Sequence, residues 1–175
     1  MTADPFMAIA VRSALAALLL AGAWHKLRDR ASFRQAIEDY RLLPSIAVPA
    51  AALLLPLAEA AAAVTALLGS RLGLVAIAGL LLLYAAGIGI NLQRGRRHID
   101  CGCFAFGKTG QAIGPFMVWR NMLLAAFALL VAQADVGARP LLWLDWFGLA
   151  AAVASAAILY GIVDTAMPRM REMRP

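Results

Sequence analysis

The chain has 175 residues, 63% of them hydrophobic and 15% charged, against roughly 45–50% apolar and about 25% charged in soluble domains. This composition excludes a disordered or nucleic-acid-binding tail, and two cysteines are too few for a disulfide-rich secreted scaffold. What remains is an integral membrane protein: a span needs about 20 apolar residues, so the chain has room for about four or five spans and no soluble domain. The net charge of +6 does not imply nucleic acid, because the basic residues sit between apolar runs, where membrane proteins carry them.

The first apolar run is Phe6 to Trp24, interrupted by Arg12. Ala21 to Ala23 resembles a signal-peptide cleavage site, but no Lys or Arg precedes Arg12 and Asp4 is acidic. A retained span is therefore expected. In His25 to Ser45, the residues Phe33, Ala36, Ile37 and Tyr40 recur at helical spacing among charged neighbours. They predict an amphipathic helix at the bilayer surface, ended by Pro44. The second run, Ile46 to Leu68, has Glu59 as its only charge and holds Pro49 and Pro56, which spans tolerate where neighbours satisfy the freed carbonyls. After a tight turn at Gly69 to Arg71 comes the uncharged third run, Leu72 to Leu92. Its Gly73, Gly79, Gly87 and Gly89 either allow close helix packing or are incidental on a lipid-facing surface.

Gln93 to Pro115 is polar and glycine-rich and holds both cysteines, as suits a loop of turns. The fourth run, Phe116 to Ala134, has Arg120 and Asn121 in its first turns; a short connector leads to the fifth run, Trp146 to Val163, and a basic tail. The expected fold is all-α. It is an integral membrane helical bundle forming one domain over 1–175, with a four-helix core, a fifth span and a short amphipathic surface helix after span one.

Five spans place Lys26, Arg28, Arg30, Arg34, Arg41, Arg94, Arg96, Arg97, Lys108, Arg169, Arg171 and Arg174 on one face, and only Arg71 and Arg139 on the other. Lysine and arginine excess marks the cytoplasmic side, so charge alone puts the N-terminus outside and the cysteines inside. Arg12, Glu59 and Asn121 are polar positions within the spans. An ionisable group in the membrane is costly and usually faces the bundle interior with a partner. Counted from the span centres, Arg12 and Glu59 fall at matched depth in antiparallel helices and are expected to pair. The alternative is that Arg12 snorkels while Glu59 is protonated. Asn121 is placed to hydrogen-bond across helices. Tyr40 and Arg41 either anchor the surface helix at the interface or lie over the cysteine loop.

The motif with obvious chemistry is Cys101-Gly102-Cys103-Phe104. Two thiols separated by one glycine can close a small strained disulfide, and strained disulfides exchange readily; Gly102 brings no side chain to obstruct the ring. Arg96, Arg97 and Lys108 are cations close in sequence and favour the reactive thiolate, together with His98 and against Asp100. Soft-metal binding, for instance of Cu(I), and inert buried thiols are the competing readings; no metal site is assigned.

Gly22 to Leu27 (GAWHKL), Phe33 to Pro44 (FRQAIEDYRLLP), Pro56 to Glu59 (PLAE), Cys101 to Phe104 (CGCF) and the Arg120-Asn121 pair together resemble MauE. This is the methylamine utilisation membrane family, within the wider DoxX-like group. Ala105 and Phe106 stand before Gly107, where the family pattern has glycine directly after the phenylalanine. The resemblance implies a role in maturing methylamine dehydrogenase, whose exported small subunit is rich in disulfides. It also implies a thioredoxin-like partner of the MauD type, and a setting in the bacterial inner membrane. The implied fold is reminiscent of vitamin K epoxide reductase, a four-helix thiol oxidoreductase that uses quinones and has two cysteine pairs. With one pair this chain has no internal relay, so electrons gained at Cys101 and Cys103 leave directly to a membrane quinone or to another protein. The alternatives are a non-catalytic membrane scaffold or chaperone, and a small metal or solute transporter.

Overall fold

The computed structural model describes residues 2–96, 99, 113–136, 143, 147–148, 150–151, 153–155 and 158. Cys101, Gly102, Cys103, Phe104, Arg97, Lys108 and most of the fifth expected span lie outside the described residues.

The described elements are helical apart from a two-residue parallel pairing of β1 (Thr2–Ala3) with β2 (Asp135–Val136). α1 is Pro5–Arg28, α2 is Arg30–Tyr40, α3 is Val48–Leu67 after a short 3-10 turn, α4 is Arg71–Gln93, and α5 is Pro115–Gln133. Four stretches are long and apolar enough to cross a membrane: Pro5–Arg28, Ser45–Leu67, Arg71–Gln93 and Pro115–Gln133. Among the described residues the fold is thus an all-α membrane bundle. α4 packs chiefly on α5 and α3, α3 packs on α1, and a lighter contact between α1 and α5 closes the ring.

The core is built from small residues. Ala16, Ala62, Ala63, Ala66, Ala78, Ala125 and Ala128 are buried with Leu15, Leu74 and Ile77, whereas Leu54, Leu57, Leu83, Leu123 and Phe127 point outward. Lipid tails are as apolar as leucine, so helices gain most by bringing backbones close through small side chains. Gly73 shows how close: a Cβ there would stand 2.3 Å from the backbone nitrogen of Ala66 in α3. Gly87 lies against the rings and methyls of Tyr40 and Leu42, while Gly79 and Gly89 have nothing within 4 Å. The glycines of α4 therefore divide between both expected uses.

The turn between α3 and α4 is a Schellman cap. The N–H of Gly69 donates to the Ala66 carbonyl and that of Ser70 to the Thr65 carbonyl, with Gly69 at φ 86°. The same pattern closes α4, where the N–H groups of Gly95 and Arg96 donate to Leu92 and Asn91. Two boundaries differ from expectation. α1 continues past Trp24 to Arg28, with His25, Lys26 and Arg28 in a last turn that favours cations. α2 ends at Tyr40, with Arg41 in the left-handed region at φ 48°, three residues before Pro44. Its apolar face is as expected: Phe33 and Ala36 are buried, with Ile37 and Tyr40 half-buried. That face packs on α3, so α2 covers protein as well as bilayer.

Candidate functional site

The buried polar groups converge on one place. Lys26, Glu59, Asn91 and Asn121 are each less than 5% exposed. Lys26 Nζ donates to Glu59 Oε1 at 2.5 Å, and the Tyr84 hydroxyl donates to the same oxygen at 2.5 Å. The ammonium also lies 3.4 Å from the Tyr84 hydroxyl oxygen. It sits 4.6 Å from the Tyr84 ring centroid and 5.2 Å from that of Phe33, within the range of cation–π attraction. The site thus joins α1, α2, α3 and α4. α5 supplies Arg120 and Asn121, which line the same cavity of about 40 Å³.

This corrects the expected pairing of Arg12 with Glu59. Arg12 Nη1 donates instead to the Gly69 carbonyl at 3.1 Å, where a cation stabilises the exposed C-terminal carbonyls of α3. The reason is the direction of helical side chains, which lean toward the helix N-terminus. From position 12 that lean carries the guanidinium away from Glu59 to the far turn. From position 26 it carries the ammonium back into the bundle. Because α1 runs to Arg28, Lys26 belongs to the helix and not to the polar segment beyond it. It is therefore removed from the surface charges that bias orientation.

Glu59 and Asn121, which stand out in the sequence, both line the cavity; Lys26 and Tyr84 are site residues that do not stand out there. A signal for Lys26 was present: Leu15, Leu19, Gly22 and Lys26 share the buried face of α1 at spacings of three and four. Tyr84 likewise lies between Leu81 and Ile88 on the buried face of α4. Arg96 contributes its backbone N–H to the α4 cap. Among the described residues, no three metal-ligating side chains converge.

Outside the spans, Asp29 closes α1 and opens α2. Its carboxylate accepts from the Ser32 hydroxyl at 2.7 Å and from the Ser32 N–H at 3.1 Å. These bonds, with a smaller contribution from His25, hold the carboxyl below the usual Asp value.

Residues 4–134 match the family described as methylamine utilisation protein MauE. The chain belongs to the MauE family. Methylamine utilization protein MauE of Paracoccus denitrificans is 41% identical over 140 residues, covering 78% of this chain and 74% of that relative. The MauE of Methylophilus methylotrophus is 38% identical over 134 residues, covering 75% and 70%, and that of Paracoccus versutus is 37% identical over 139 residues, covering 78% and 74%. No solved structure matches the chain. The MauE match spans α1 through α5, so it contains the Lys26–Glu59–Tyr84 cluster and the Cys101-Gly102-Cys103 segment together. With four helices among the described residues long and apolar enough to cross a membrane, this MauE-family chain is a multi-pass membrane protein.

Proposed function

We propose that the chain is a thiol–disulfide factor of methylamine utilisation. It sits in the bacterial inner membrane and assists maturation of the methylamine dehydrogenase small subunit with a thioredoxin-like partner of the MauD type. The observation that carries this reading is that Cys101-Gly102-Cys103 lies inside the stretch matched to the family. Supporting it, Arg96, Arg97 and Lys108 are cations near the thiols in sequence.

In the proposed step, a Cys101–Cys103 disulfide takes two electrons and two protons from two client thiols, which close to a client disulfide. The two thiols so formed are reoxidised when the electrons and protons pass to a membrane quinone, giving the quinol. Exchange with the disulfide of a protein partner is the other outlet. Because one pair does all of this, both sulfurs are needed. Cys101→Ser and Cys103→Ser are each expected to abolish appearance of mature small subunit in a strain lacking the wild-type chain, with variant abundance in the membrane unchanged by immunoblot. Normal small-subunit levels in either variant would overturn the thiol reading and favour a scaffold.

A further inference from the structure

Beside the cluster of Lys26, Glu59 and Tyr84 lies a feature that thiol chemistry at Cys101 and Cys103 does not use. The cavity of about 40 Å³ between α1, α3, α4 and α5 is walled by leucines, with Lys26, Glu59, Tyr84, Arg120 and Asn121 as polar groups in its lining. Among the described residues, Glu59 Oε2 and Asn121 Nδ2 are buried there with no hydrogen-bond partner. Their side chains belong to residues only 2% and 4% exposed. A buried donor or acceptor left unpaired is costly, so such groups are normally met by protein or by ordered water.

Size and chemistry identify what meets them. A water needs about 10–15 Å³ of such space, and a cavity that admits benzene measures about 150 Å³. The cavity is therefore large enough for water and too small for an aromatic headgroup. The missing partners are a donor for Glu59 and an acceptor for Asn121, and a water molecule supplies both.

We propose that water fills this cavity, bridges Glu59 Oε2 to Asn121 Nδ2, and makes Glu59 a proton-exchange site in the bundle core. A proton arriving from bulk solvent along the water passes to Glu59 Oε2 and returns by the same water, so that no hydroxide is left behind, while Lys26 and Tyr84 hold Oε1. The charged and titratable groups facing Glu59 are Lys26 from α1, Tyr84 from α4 and Arg120 from α5; α2 brings the Phe33 ring against the ammonium. Buried polar atoms extend from the cavity toward the end where α4 stops at Gln93 and α5 starts at Pro115. Asn121 lies six residues into α5, roughly 9 Å below that end at about 1.5 Å per residue. Asn91, two residues before the end of α4, is wholly buried with its Oδ1 unpartnered. Unmet polar atoms thus continue past Glu59 toward that end. At the opposite end Arg12 Nη1 donates to the Gly69 carbonyl, while Arg12 Nε is buried with no hydrogen-bond partner among the described residues.

The site stands independently of the thiol reading, and its test uses no client or redox assay. The full chain, labelled with carbon-13 in glutamate and reconstituted into phospholipid vesicles, is examined by solid-state NMR that follows magnetisation from water to carboxyl carbons. Glu38 and Glu172 are the other glutamates, and Glu59 is assigned by its loss in Lys26→Gln/Glu59→Gln, which removes both charges together so that neither is stranded. The expected result is transfer from water to the Glu59 carboxyl, cut several-fold by Asn121→Leu. Absence of transfer, or transfer unchanged by Asn121→Leu, would overturn the proposal.

Discussion

At the scale of single residues, the decisive interaction is the buried pair of Lys26 and Glu59. Two charges taken out of water are costly, and their attraction repays this only with good geometry and further hydrogen bonds. The Tyr84 hydroxyl supplies a further hydrogen bond here, and the Tyr84 and Phe33 ring faces add cation–π attraction. Removing one partner strands the other, so Lys26→Met and Glu59→Gln are each expected to lower unfolding stability by about 3–5 kcal/mol, read by denaturant titration of the detergent-solubilised chain. The swap Lys26→Glu with Glu59→Lys should recover part of that loss. Arg12→Glu with Glu59→Arg should give losses that simply add, because Arg12 serves the Gly69 turn. Glu59 could be singled out in the sequence because a lone carboxylate in an apolar run stands out. Its partner was obscure because Lys26 sits beside His25 and Arg28, where a lysine reads as interfacial. Only the side-chain direction and the extra turn of α1 separate the two cases.

At the scale of elements, the apolar runs marked all four described spans to within a few residues, since their lengths follow bilayer thickness. Small-residue packing was less legible, because a glycine looks the same at a helix contact and on a lipid face. Gly73→Leu is expected to drive α3 from α4 and sharply reduce the folded fraction, whereas Gly79→Leu, with nothing within 4 Å, should leave it unchanged; protease resistance in membranes distinguishes them. α2 was legible from its period, but its start depends on Asp29. A carboxyl whose value is lowered on folding contributes stability above its unfolded value, near 3.9, and loses it as pH falls through the folded one. Amide exchange at Ser32 and Phe33 should therefore stay slow through neutral and mildly acidic pH and rise only below the ordinary carboxylate range. Asp29→Ala should make it fast at every pH.

At the scale of the whole molecule, the β1–β2 pairing brings the start of α1 and the end of α5 to one face. Residues 29–47, the end of α4 at Gln93 and the start of α5 at Pro115 therefore lie on the other. Even without Lys26, that second face carries Arg30, Arg34, Arg41, Arg94 and Arg96 against Arg71 opposite. The positive-inside bias then predicts a cytoplasmic reading from a reporter fused after Gln93, and an exported one from a fusion after Gln133. The thiol pair was visible in the sequence as a motif. The buried cluster was not, because its members come from helices distant in the chain and meet only once the bundle closes. The most direct test of the central claim is the redox state of Cys101 and Cys103 in cells producing methylamine dehydrogenase, measured by acid quenching and mass-tagging of free thiols. The account predicts a fraction protected until reduction, and a mixed disulfide with the small subunit or a thioredoxin-like protein trapped in one of the single-serine variants. Thiols fully tagged without reduction, with no mixed disulfide in either variant, would contradict it.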